Sequence, residues 1–256
     1  MNIIRNASVY LVGRQVTNPE AIQRFLDDHE LTWTTDTEVG AEVLGEMAGR
    51  VCYMSFGKGR KTNQEYLGNI IGMKHGSVLE HAVWNFVITG VSRSFTHELV
   101  RHRAGFGYSQ LSQRYVDEST TDFVEPDCIA ENAELHTVWL ESVRQSHEAY
   151  CKLVAGLAHK FKDVEQARMR RKLSRQAARS VLPNATETKI FVTANGRGWR
   201  HFIEARANEH AEVEICKVAI AILRILQVES PAFFGDYKIV ELADGTEVAD
   251  TPNRKV

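Results

Sequence analysis

The four cysteines of this chain (Cys52, Cys128, Cys151 and Cys216) form no CxxC pair. In 256 residues that scarcity excludes a disulfide scaffold and implies reduced thiols in a cytoplasmic setting. None of the ten histidines stands in an HExxH or Cys/His zinc spacing, so no metal is expected. A GxSxG elbow and a P-loop are missing, and Asn195-Gly-Arg-Gly198 does not complete a GxGxxG. No apolar run approaches the ~20 residues of a membrane span, and the first residues lack a signal peptide's apolar segment. Neither charge dominates: 31 Lys and Arg stand against 33 Asp and Glu, which argues against a general nucleic-acid binder and directs attention to local patches. Repeats and low-complexity segments are absent as well. What remains is a soluble cytoplasmic protein without a membrane partner. At its length, one elaborate domain is as good a reading as two.

Arginine is concentrated in three places. Arg101-His102-Arg103 is followed, after eight residues, by Ser112-Gln113-Arg114-Tyr115, with no Asp or Glu between Arg101 and Arg114. Crowded like charges are unfavourable unless an anion neutralises them, and the planar arginine fork grips phosphate oxygens two at a time. Gly105 and Gly107 let the backbone approach a bulky ligand. The segment reads as a site for something flat that carries phosphates. The second place is Asn195 to His210, where Arg197 sits in a glycine turn at a helix start, a setting that favours anions. There Arg206, His210 and Glu214 are four apart on one helix face; a solvated ion-pair ladder is the competing reading. Arg168, Arg170, Arg171, Lys172, Arg175 and Arg179 form the third cluster. It reads mainly as a solvated basic face, with a nucleic-acid contact as the weaker rival. Arg179 stands apart, just before Ser180-Val-Leu-Pro183, where a helix must end.

Periodicity alternates between helix and strand. Ser8–Val12 is β-rich; Val39–Tyr53 is helical with Val43, Met47 and Val51 every four residues; a second helix starts near Asn63 and carries Tyr66, Ile70 and Met73. Ala82–Thr89 and Thr188–Thr193 are strands, the latter stopped by the Asn195-Gly196 turn signal. Ser94–Arg103 reads as a helix, and Glu131–Ala178 as two. Asp117–Asp127 is a linker or surface loop. A single long helix is expected over Gly198–Gln227, its apolar second half buried by the fold or by another subunit. Tyr237–Val248 around Asp244-Gly245 resembles a hairpin. Composition and spacing alone support a binder of phosphorylated, nucleotide-like ligands.

The arginine segments also resemble a known family. Arg101-His-Arg103 with Ser112-Gln-Arg-Tyr115 is similar to the signature of the flavin-dependent thymidylate synthases, with a spacer one residue longer than the commonest form. His75-Gly-Ser-Val-Leu-Glu-His81, Ala178-Arg-Ser-Val-Leu-Pro183 and Asn195-Gly-Arg197 through Arg206-Ala-Asn-Glu-His210 resemble further family segments, in order and at similar spacing. The resemblance runs from about residue 70 to 215.

It implies an α+β fold, a sheet flanked by helices, in a single domain over residues 1–256 with the hairpin at about 237–248 as an appendage. It implies a methyltransferase of nucleotide biosynthesis, a flavoprotein that converts dUMP to dTMP. Methylenetetrahydrofolate supplies the carbon, and NADPH-reduced FAD supplies the hydride. The implied assembly is a cytoplasmic homotetramer with sites shared between subunits and the long helix at its contacts; no nucleic-acid partner is expected. Matched position by position, Ser77, Arg101, His102, Arg103, Gln110, Asn195, Arg197 and His201 would contact FAD. Glu98, Arg101, Gln110, Ser112, Gln113, Arg114, Arg179 and Arg206 would hold dUMP, with Arg206 catalytic in activating the uracil at N3. Glu98 and Gln110 stand where other members often have Gln and Glu. A guanidinium fixed where negative charge develops is what that activation needs. The rival readings are a non-catalytic flavin or nucleotide binder and a nucleic-acid module whose affinity falls steeply with salt.

Overall fold

The computed structural model describes Met1–Val256, an α+β chain that packs as two compact units. The first comprises Met1–Ser8, Ile88–Val100 and Ser109–Phe191; the second comprises Val9–Val87, Arg101–Tyr108 and Val192–Val256. Strand β1 (Ile3–Ile4) and strand β2 (Ser8–Arg14) open the chain. Helix α1 (Pro19–Asp28) follows, set by an Asn18 side-chain cap and a proline in its first turn, a start signal that the sequence reading passed over. Next come α2 (Gly40–Tyr53), α3 (Asn63–Gly72), a 3-10 turn over Gly76–His81, strand β3 (Val83–Ser92) and α4 (Arg93–Leu99). Then follow β4 (Phe106–Gln110), β5 (Phe123–Val124), α5 (Asp127–Ala130), α6 (Ala133–Lys160), α7 (Ala167–Ala178) and β6 (Glu187–Asn195). Helices α8 (Gly196–Arg206), α9 (Val213–Glu229) and α10 (Pro231–Phe234) lead to strands β7 (Lys238–Glu241) and β8 (Glu247–Asp250). The main sheet has the order β2-β3-β6-β4. In the first unit β1 pairs with β5 in parallel, and in the second β7 and β8 form the expected antiparallel hairpin.

Apolar burial explains most of these elements. Strand β3 alternates, with Trp84, Phe86 and Ile88 fully buried. In the second unit Trp84 meets Phe233 and Phe234 edge-on, and Phe86 meets Trp199. Phe95, Leu99, Phe123, Val143 and Tyr150 are among the buried residues of the first unit.

Four sequence expectations need correction. Of the row Val43, Met47 and Val51 on helix α2 only Val43 is buried; Glu42, Glu46 and Arg50 are buried beside it, and Val51 is 43% exposed. The polar residues recur every four positions just as the apolar ones do. Their burial is affordable because Glu46 accepts from Trp33, Thr35, Asn63 and Arg50, all within 2.7–3.1 Å. Similarly, Met73 caps α3 from an exposed position instead of joining its buried face, which is Leu67, Ile70 and Ile71. The segment over Asp117–Asp127 is no linker: it holds β5 and the buried Glu118 and Glu125, the latter paired with Arg5 and His136.

The fourth correction concerns the long helix, which is two helices. Asn208 donates to the carbonyls of Glu204 and Ala205, closing α8, and the Glu212 carboxylate accepts from Glu214 and Ile215 to open α9. Arg206, His210 and Glu214 therefore do not share one helix face. Moreover, Val218, Ile220, Ile222, Leu223 and Leu226 are buried within this chain alone, so this apolar face is not available as a subunit contact. No helix is long and apolar enough to cross a membrane.

Candidate active site

Helix α4 stops at Leu99, short of the helix expected through Arg103. Arg101, His102 and Arg103 form the connection into β4, where Gly105 takes a left-handed φ of 75° and the Phe106 N–H closes on the Arg103 carbonyl at 3.2 Å. Arg101 and Arg103 remain exposed while His102 turns inward, 7% exposed, against the rings of Phe106 and Phe202. Tyr108 locks the turn by donating to the His102 carbonyl at 2.6 Å. Burial pushes the Tyr108 hydroxyl up, out of the range in which it would ionise.

Asn195 stops the strand, as its turn signal predicts. It is the last residue of β6 and the cap of α8, accepting the Gly198 N–H at 2.8 Å. Helix α8 then presents Arg197 and His201 near its start and Arg206 as its last residue. Arg206 Nε donates to His102 Nε2 at 3.0 Å, and the His102 and His201 rings lie 5.7 Å apart. Burial first, then the charges of Arg206 and His201, push the His102 pKa down to about 4. His102 is thus neutral near pH 7 and accepts at Nε2, which puts its proton on Nδ1. A neutral imidazole fixes the Arg206 guanidinium without competing for its charge.

The Ser77 turn belongs to the same unit. Arg197 donates to Glu80 of that turn at 2.7 Å, and Ser77 itself is exposed. Three backbone positions are held so close that an added Cβ would push its neighbours aside. At Gly105 it would come within 2.7 Å of the Asn195 side chain, at Gly76 within 2.8 Å of Arg197 Nε, and at Gly198 within 3.0 Å of Phe106. Close backbone, an α8 N-terminus and three exposed arginines form a donor set that suits a ligand with adjacent phosphates, as a flavin dinucleotide carries. The chain's residues therefore fit FAD.

The first unit gathers the other residues. Gln110 donates to the hydroxyls of Thr96 and Thr188, which fixes its carboxamide, and Leu111 N–H joins the Lys189 carbonyl at 2.9 Å. The Ser112 carbonyl accepts from Tyr115 and Val116, folding Ser112-Gln113-Arg114-Tyr115 into one turn with Gln113 buried and Arg114 exposed. Glu98 is half-buried on α4, and Arg179 follows the last residue of α7, exposed, as the approaching Pro183 requires. The units thus divide the expected site. Of the residues expected to hold the cofactor all but Gln110 fall in the second unit, and of those expected to hold the nucleotide all but Arg101 and Arg206 fall in the first.

Three residues that sequence reasoning missed do positioning work here. Arg93 donates from Nη2 to the Leu111 carbonyl at 3.1 Å, the residue before Ser112. Glu80 and Tyr108 hold Arg197 and His102 as described. An arginine at the apolar junction of β3 and α4 was the one legible signal among them. The third basic cluster is only partly a solvated face: Arg170 donates to the Lys162 and Val164 carbonyls, and Arg175 to Tyr115 and Asp117. Arg114, Arg168 and Lys172 ring Tyr115 at 5.5–5.8 Å.

A family model described as thymidylate synthase complementing protein matches residues 35–232. A flavin-dependent thymidylate synthase of Mycobacterium tuberculosis (strain ATCC 25618 / H37Rv) is 52% identical over 231 residues, covering 89% of this chain and 92% of that protein. The protein of the same name from Mycobacterium sp. (strain KMS) is 53% identical over 230 residues, covering 87% of this chain and 90% of its own. With that extent of identity across the segments that build both residue sets, the chain belongs to the flavin-dependent thymidylate synthases.

Proposed function

We propose that this chain, folded as a flavin-dependent thymidylate synthase over one domain of residues 1–256, methylates dUMP to dTMP with methylenetetrahydrofolate and NADPH in the cytoplasm. The observation that carries the reading is the Arg206–His102 contact at 3.0 Å. Arg206 stabilises the negative charge that develops at N3 and O4 as the uracil C5 becomes nucleophilic, and His102 holds that guanidinium in place. Arginine suits the task because it stays charged when desolvated. Bound FAD supplies the hydride. Ser77, Arg101, His102, Arg103, Gln110, Asn195, Arg197 and His201 hold the cofactor. Glu98, Arg101, Gln110, Ser112, Gln113, Arg114 and Arg179 hold the nucleotide, Arg179 at its phosphate. No cysteine is given a covalent role, in keeping with Cys216, whose thiol is pushed up by burial.

The working assembly is a homotetramer with sites shared between subunits. Support for association comes from apolar side chains left exposed on single elements: Leu135 and Val138 on α6, and Val51, Tyr53 and Met54 at the end of α2. The deciding experiment is purification followed by a visible spectrum and an assay of dTMP formation. A yellow protein that makes dTMP from dUMP, the folate and NADPH is expected. A colourless protein that FAD cannot reconstitute overturns the reading, and a yellow one that leaves dUMP unchanged reduces it to a flavin binder. Activity measured on serial dilution tests the shared sites, which a fully active monomer would refute.

A further inference from the structure

Helix α8 has a second working face. Arg197, Arg200 and Glu204 follow one another at helical spacing, and each grips the segment Thr251–Val256. Arg200 Nη2 donates to the Asn253 carbonyl at 3.1 Å, Glu204 Oε2 accepts the Lys255 N–H at 2.9 Å, and Arg197 Nε donates to the Val256 carbonyl oxygen at 3.2 Å. The segment is anchored from below by Asp236, whose carboxylate accepts from Thr251 at 2.6 Å and Asn253 at 3.0 Å. Lys255 takes a left-handed φ of 58°, and Val256 is buried. At Gly76 a Cβ would stand 2.6 Å from the Val256 carbonyl carbon and 2.8 Å from Arg197 Nε, so only glycine lets the segment reach the arginine there.

We infer that Thr251–Val256 is a strap that positions Arg197 for the flavin. This rests on the reading of Arg197 as a cofactor residue. A guanidinium has five N–H donors. Val256 and Glu80 take one each and hold the group from two sides, leaving three donors for an anion. Without the strap Arg197 would hang from Glu80 alone, and ordering that long, half-exposed side chain would be charged against cofactor binding. Thr251, Asn253, Val256 and Gly76 are thus positioning residues that touch no cofactor in this account.

The test is FAD affinity, read from the quenching of flavin fluorescence on titration into apoprotein, for the full chain, a chain lacking residues 251–256, Arg197→Ala, and the two changes combined. The deletion should weaken FAD about 3- to 10-fold, the loss expected when one long side chain must be ordered on binding. In the Arg197→Ala background the same deletion should cost nothing more, a non-additivity that a merely structural role would not produce. Should the shortened chain fail to fold, Gly76→Ala in the full chain is expected to weaken FAD to the same extent by parting Val256 from Arg197. Unchanged affinity in the deletion or in Gly76→Ala, or a deletion effect that adds to Arg197→Ala, overturns the strap. Full affinity in Arg197→Ala with the strap intact instead removes Arg197 from the cofactor set, and the strap's purpose with it.

Discussion

Arg200, buried in the second unit, and Arg93, half-buried in the first, have their charges balanced differently. Arg200 is 1% exposed, and burial works against its charge; the two-pronged bond to Asp236, at 2.6 and 2.8 Å, more than offsets this and raises its pKa. Arg93 has no such fork. Burial lowers its pKa, the buried Glu118 opposes that only from nearby, and Arg179 adds to it. Each arginine keeps a buried Nε without a partner, so the difference between them is the carboxylate fork. The first arginine ties a chain segment to α8. The second is a cation left short of negative charge beside the residues assigned to a phosphorylated nucleotide. A buried arginine forked to a carboxylate belongs to architecture, whereas one whose charge is left uncompensated marks where an anion is wanted.

The largest effect should come from breaking the matched pair. Asp236→Asn leaves Arg200 buried against a neutral amide and should destabilise the fold by about 3–5 kcal/mol in urea unfolding. A change below about 1 kcal/mol would mean that Arg200 is not held by charge. Next, Arg206→Ala should lower dTMP formation by about 10²-fold or more while FAD stays bound and reducible by NADPH. Arg179→Ala should chiefly raise the dUMP concentration needed. If Arg206→Ala turns over normally and Arg179→Ala abolishes turnover at saturating dUMP, the two roles are exchanged.

A pH effect comes third. His102 titrates in the fold at about 4, below its ordinary 6.5. Above pH 6.5 it is neutral folded or unfolded, so stability is fully present. Between 6.5 and about 4 only the unfolded chain takes the proton, and stability should fall on acidification by at most about 1.4 kcal/mol per pH unit from this group. His102→Gln should flatten that slope in denaturation curves measured across the window; an unaltered slope would assign the acid sensitivity elsewhere. The smallest change sharpens the opening contrast. Arg93→Met should raise the KM for dUMP about tenfold, the lower end of what one charged hydrogen bond is worth, with FAD affinity untouched. Equal losses of FAD and dUMP would show that Arg93 merely supports the fold.

Strands β2, β3 and β6, the α6–α7 pair and the hairpin were legible because their periodicity is apolar and their ends carry turn residues, whereas the short β1 and β5 and the glycine-containing β4 were not. The helix break at 207–212 was not, since Asn208 and Glu212 end and start helices through side chains that periodicity ignores. Helix α2 misled because Glu46 and Arg50 repeat at the spacing of a core stripe. Within the site, the contiguous arginine segments announced themselves. Their supports did not: Glu80 and Val256 lie 117 and 59 residues from the Arg197 they hold, and no local pattern links positions so far apart.

Tyr115 offers a way to watch the basic cluster by light absorption. Its exposed phenol is held below the ordinary tyrosine range by a hydrogen bond from Lys172, with the charges of Lys172, Arg114 and Arg168 adding to it. Burial pushes Tyr66, Tyr108, Tyr150 and Tyr237 the other way. As pH rises, the first tyrosinate absorbance should therefore come from this ring ahead of those four. An anion bound among its cations should delay that absorbance, turning one side chain into an intrinsic chromophore for whatever settles there.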